Sequence, residues 1–77
     1  MIIYGAMLCP DCVECCKDLD AIGVAYEFRS ITDDLRYLKE FLKLRDSSIV
    51  FDAVKAEGKI GIPCLLGDDG RISLSWK

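Results

Sequence analysis

Histidine is missing from this sequence altogether, and no Gly-, Pro- or Ser-rich tract interrupts it. A metal site here would have no imidazole ligand, and the cysteines could in principle form an all-thiolate one. Without low-complexity tracts, a 77-residue chain that is 52% apolar and 30% charged reads as a single compact domain over residues 1–77, not as a disordered tail. A cationic surplus is missing too: 10 Lys and Arg against 13 Asp and Glu leave a net charge of −3, with no excess to neutralise phosphates, which argues against a nucleic-acid partner. No apolar run approaches the roughly 20 residues a membrane span needs. The apolar opening from Met1 to Leu8 lacks the basic flank and small-residue cleavage site of a secretory signal, and it reads as a buried strand. The expectation is a cytoplasmic protein with no membrane partner.

Cysteine, by contrast, is abundant. Five in so short a chain suggest a secreted disulfide framework, but the count is odd and no signal peptide is evident, so the thiols are read as reduced. Cys9, Cys12, Cys15 and Cys16 crowd into eight positions, where bridges would close loops too small to staple distant parts of a fold. Chemistry explains that clustering better than scaffolding does.

Along the chain, Ile2 to Tyr4 is a β-branched and aromatic run closed by Gly5, and Pro10 suits the first turn of a helix running to about Ile22, with Gly23 as its left-handed stop. Val24 to Ile31 alternates with strand period, placing Val24, Tyr26 and Phe28 on one side; this strand ends near Ser30. Thr32 is the expected N-cap of a second helix, in which Leu35, Leu38, Phe41 and Leu42 recur at helical spacing as far as about Arg45. Asp46-Ser47-Ser48 looks like a fresh cap for a short third helix that ends near Gly58. Residues 61–66 read as a third strand entered through Pro63, Gly67 to Gly70 as a tight turn, and Arg71 to Trp76 as a fourth strand paired back on the third. The order βαβααββ implies a mixed sheet with its first two strands parallel and its hairpin antiparallel.

Cys9-Pro10-Asp11-Cys12 falls where the first strand gives way to the first helix. Disulfide exchange needs one sulfur exposed as thiolate and a second close enough to resolve the mixed disulfide, and a helix N-terminus supplies both. Cys9 would lie near amides with no intrahelical partner, at the positive end of the dipole, with Cys12 about one turn further in. Asp11 and Glu14 add negative charge nearby, and no neighbouring sequence position offsets them with a cation.

The strand-Cys9-Pro10-Asp11-Cys12-helix unit, together with Ile62-Pro63 ahead of the last hairpin, resembles the glutaredoxin family over nearly the whole chain. The resemblance implies an α/β, thioredoxin-like fold: a four-stranded mixed sheet with flanking helices, here without the family's usual C-terminal helix. It implies a thiol-disulfide oxidoreductase in which Cys9 attacks and Cys12 resolves. Pro10, Asp11, Ile62 and Pro63 would contact substrate, with Ile62 pairing to its main chain and Pro63 in the cis form against the sulfurs. The implied partners are a disulfide-bearing protein or glutathione mixed disulfide and a reductase, with glutathione as an alternative reductant and no tightly bound cofactor. Ala6-Met7-Leu8 and Asp11 stand where the family carries a basic and an aromatic residue, which removes familiar glutathione contacts.

The remaining cysteines read more plainly. Cys16 shares a helix face with Cys12 and Leu19 and is assigned to the core, and Cys15 to the flank of that stripe, partly exposed. Cys64 is either a packed strand residue or a third thiol near the active pair. The alternative function is a zinc or iron-sulfur site formed by Cys9, Cys12, Cys64 and one of Cys15 or Cys16. Asp33, Asp34, Lys39, Glu40 and Lys43 are read as a solvated helix face. Ile72, Leu74 or Trp76 is expected to contribute to a dimer contact or a partner-docking patch, and the chain to be a monomer or weak homodimer.

Overall fold

The computed structural model describes residues 1–76. Strand β1 (Ile2–Gly5) leads into helix α1 (Pro10–Ala21), then β2 (Glu27–Ser30), α2 (Leu35–Ser47), a 3-10 turn (Ile49–Phe51) continuous with α3 (Asp52–Ala56), β3 (Cys64–Leu66) and β4 (Ile72–Ser73). The strands form one mixed sheet in the order β2-β1-β3-β4, with β1 parallel to β2 and the other neighbours antiparallel.

Side-chain alternation divides the core into two layers. Ile3 and its cross-strand partner Leu65 face α1, where they pack with Cys15, Cys16 and Leu19 and with the half-buried Phe28 and Tyr26. Tyr4 and its partner Cys64 face the other way, toward Ile31, Phe41 and Phe51. Phe41 and Phe51 meet edge to face at 5.8 Å between ring centroids and 78° between planes, a geometry that contributes about 0.5–1.5 kcal/mol beyond area burial. At the rim of this layer the Tyr4 hydroxyl donates to Glu40 at 2.9 Å, and Arg29 pairs with both Glu40 and Glu27.

The strands are shorter than their sequence patterns. β2 begins only at Glu27 because β1 begins opposite it, at Ile2, so Val24 and Tyr26 pack against the α1 layer without a ladder partner. β3 starts at Cys64, since the preceding Pro63 has no N–H to donate. β4 stops at Ser73, whose hydroxyl donates to the Ser75 carbonyl (2.7 Å) and accepts from the Ser75 N–H (3.2 Å), drawing the chain out of the ladder. Met7 and Leu8 lie outside β1 in an exposed turn, which corrects the reading of the whole opening stretch as buried strand.

The cap of α2 also differs from expectation. Asp34, not Thr32, is the N-cap: its carboxylate accepts from the Arg36 N–H at 2.8 Å, while the Thr32 hydroxyl is engaged with Ser30 at 3.1 Å. The helix continues past Arg45 to Ser47, whose hydroxyl satisfies the Lys43 carbonyl at 2.7 Å. Ser48 then caps the 3-10 turn.

Ile72 and Leu74 are half-buried in the layer that holds Phe41 and Phe51. Trp76 lies across the α1 layer, its indole N–H donating to Asp18 at 2.9 Å. These three side chains therefore do not gather into one exposed patch. Among the described residues no helix is long and apolar enough to cross a membrane.

Candidate active site

Gly5 ends β1, and the turn through Ala6, Met7 and Leu8 is closed by the Cys9 N–H donating to the Ala6 carbonyl at 3.0 Å. Cys9 has extended backbone (φ −93°, ψ 118°) and is the N-cap of α1, and its carbonyl accepts from the N–H groups of Cys12 (3.1 Å) and Val13 (3.2 Å). Pro10 occupies the first helical position, where the missing N–H costs nothing. The helix thus begins on Cys9 and leaves its thiol half-buried at the positive end of the dipole.

Cys12 is fully buried beneath it. Its sulfur accepts from the Ala6 N–H at 3.4 Å, and it feels the nearby Cys9 sulfur. Burial pushes the Cys12 thiol up to about 12, the Ala6 N–H opposes that rise, and the neighbouring sulfurs of Cys9 and Cys16 reinforce it. The pair is therefore unequal: one sulfur reachable from solvent, the other kept as a thiol in the interior.

Gly5 makes this arrangement possible. A Cβ there would lie 2.9 Å from the Cys12 sulfur and 3.2 Å from the Phe28 ring, so the helix could not approach the strand as closely with any other residue. In the sequence Gly5 shows only as the end of a strand.

A groove of about 480 Å³ opens beside the Cys9 thiol. Cys9, Asp11, Ile62 and Pro63 meet in it, and the Ile62–Pro63 peptide bond is cis. Val54, Leu74 and the segment from Gly58 to Gly61 complete its walls. Pro10 lines a separate depression with Met7, Leu8 and Val13, not the groove that holds Cys9. The sequence offered no cation near the motif, but the fold supplies one: Lys59 lines the groove, its ammonium 3.2 Å from Glu57.

Cys15 departs from expectation. It is fully buried, because α1 lies flat on the sheet and turns a stripe of Cys12, Cys15, Cys16 and Leu19 inward together. Cys64 is buried as well, on the opposite face of the sheet from Cys15 and Cys16. Burial pushes both the Cys15 and Cys64 thiols up to about 11. Among the described residues no three His, Cys, Asp or Glu side chains converge to hold a metal ion. The sheet itself separates Cys64 from Cys15 and Cys16.

A Haemophilus influenzae protein described only as uncharacterized is 44% identical to this chain over 73 residues, which span 95% of this chain and 85% of that one. The chain belongs to the same family as that protein. No family model matches the sequence, and no solved structure matches it.

Proposed function

We propose that this protein is a thiol-disulfide oxidoreductase of the glutaredoxin type, with a thioredoxin-like fold. The observation that carries the reading is the unequal cysteine pair at the start of α1: a half-buried Cys9 as N-cap, with a fully buried Cys12 one turn further in. The groove that brings Cys9 together with the cis Ile62–Pro63 segment supports it. So does the element order, with the parallel β1–β2 pair and the antiparallel β3–β4 hairpin.

The Cys9 thiolate attacks one sulfur of a disulfide substrate, forming a mixed disulfide and expelling the other sulfur as a thiolate that takes up a proton. Cys12 then gives up its proton and attacks the Cys9 sulfur, closing the Cys9–Cys12 disulfide and releasing the second half of the substrate as a thiol. Two electrons have passed from the dithiol to the substrate. Glutathione or a reductase returns them. The burial that holds Cys12 protonated keeps it from competing for the substrate, and the mixed disulfide places its target within reach.

The substrates in this reading are protein disulfides or glutathione mixed disulfides. The test is reduction of bis(2-hydroxyethyl) disulfide and insulin, coupled in turn to glutathione with glutathione reductase and to thioredoxin reductase. Cys9→Ser abolishes turnover, and Cys12→Ser accumulates a mixed disulfide on Cys9 visible by mass spectrometry. Turnover that persists without Cys9 would refute the reading.

A further inference from the structure

The wall of the groove from Gly58 to Gly61 belongs to no helix or strand, yet it is held in a defined shape. Gly58 (φ 71°) and Gly61 (φ 94°) bracket it in left-handed conformations open to glycine and strained for other residues. Its entry is fixed by the Gly58 N–H donating to the Lys55 carbonyl (3.0 Å) and the Lys59 N–H donating to the Val54 carbonyl (2.8 Å). Its middle is tied down by a side chain from another element. From the last turn of α2, Arg45 donates through Nε to the Ile60 carbonyl at 2.8 Å and through Nη2 to the Lys59 carbonyl at 2.9 Å.

This fork fixes more than two carbonyls. The Lys59–Ile60 and Ile60–Gly61 peptide bonds are trans, and a trans amide sets its N–H opposite its C=O. With both carbonyls turned to one guanidinium, the N–H groups of Ile60 and Gly61 both point away from it. Among the described residues neither N–H has a hydrogen-bond partner, and both residues line the groove that contains Cys9.

Resting on the oxidoreductase reading above, we propose that Arg45 is a positioning residue for substrate. It holds residues 58–61 so that the Ile60 and Gly61 N–H groups receive a main-chain carbonyl of the disulfide being reduced. The favoured substrate class is then a peptide disulfide with amide groups flanking its cysteine, over a bare alkyl disulfide. Lysine cannot replace Arg45, because a single ammonium lacks the planar fork that engages two successive carbonyls.

Two disulfides serve as probes: bis(2-hydroxyethyl) disulfide, which has no amide, and the disulfide dimer of N-acetyl-Gly-Cys-Gly-amide. In Arg45→Ala the peptide-to-alkyl ratio of kcat/KM falls about tenfold, mostly through a higher KM. Arg45→Lys recovers less than half of that loss, and added ethylguanidinium partly restores the alanine variant. A second measurement does not depend on any Arg45 variant folding. When the peptide is trapped on Cys9 in a Cys12→Ser background, amide exchange at Ile60 and Gly61 slows at least fivefold, and trapping the alkyl thiol does not slow it. Reaction with both probes but an unshifted ratio, or no protection at these two amides, overturns the role given to Arg45. Absence of any Cys9-dependent reaction with either probe overturns the oxidoreductase reading itself, and with it the substrate role of Arg45.

Discussion

Replacing Gly5 with alanine sets two effects of opposite sign against each other. Gly5 is not among the glycines with positive φ, so its backbone accepts alanine, and loss of unfolded-state freedom alone would stabilise the protein by about 0.4–1 kcal/mol. Against this, the new methyl group would sit 2.9 Å from the Cys12 sulfur and 3.2 Å from the Phe28 ring. Both neighbours belong to packed elements, and overpacking of this kind costs about 1–3 kcal/mol. The contact wins, leaving a net loss of about 1–2 kcal/mol. For a domain of this size that lowers the melting temperature by roughly 5–15 °C. The assay is thermal unfolding followed by circular dichroism under reducing conditions, in the wild type, Gly5→Ala, Cys12→Ala and the double variant. Removing the sulfur removes the closest clash, so Gly5→Ala costs at most half as much in the Cys12→Ala background, a coupling of about 1 kcal/mol. A Gly5→Ala protein that melts at or above the wild-type temperature, or an equal cost in both backgrounds, would refute the claim that this glycine admits the Cys12 sulfur against β1.

Three further outcomes follow from the buried thiols and the Tyr4 network. Cys12, Cys15 and Cys64 titrate near 9.0 when unfolded and are pushed up to about 12, 11 and 11 in the fold, so above pH 9 the unfolded chain loses these protons first and stability falls as pH rises toward 11. Below pH 9 these three thiols contribute no slope. Urea midpoints at pH 7.5, 9 and 10 check this, and a flat response between the last two contradicts it. In native alkylation by iodoacetamide, Cys9 is modified well ahead of Cys12, Cys15 and Cys64, as peptide mapping reads directly; comparable labelling of Cys15 or Cys64 would show that the core opens far more readily than its packing indicates. Tyr4→Phe removes the hydroxyl that donates to Glu40 and costs about 1 kcal/mol, read as a lower urea midpoint; no change would mean the Arg29–Glu40 pair alone holds that rim.

The primary sequence dictates its own local structure with little help. Pro10 can only open a helix, Gly23 closes it with φ 74°, and Gly70, with φ 84°, falls in the hairpin turn where a left-handed residue is needed. The alternation of Ile2, Ile3 and Tyr4 fixes which side chains go to which face, and the strand-Cys-Pro-Asp-Cys-helix order places Cys9 and Cys12 at the start of α1. These features are short-range, set by backbone dihedrals and by side-chain period.

Only the tertiary structure decided the rest, because the deciding neighbours are distant in the chain. Cys15 and Cys16 are adjacent, and helical period alone puts one of them at the flank; how flat α1 lies on the sheet determines that both are buried. Cys64 follows Pro63 in sequence, but its pairing with Tyr4 turns it to the face opposite Cys15 and Cys16. Arg45 is one basic residue among several on α2 until the chain returns, 14 and 15 residues later, to present two carbonyls to it. Burial and long-range hydrogen bonding depend on how elements dock, and docking is set by the whole core at once, not by any segment of it.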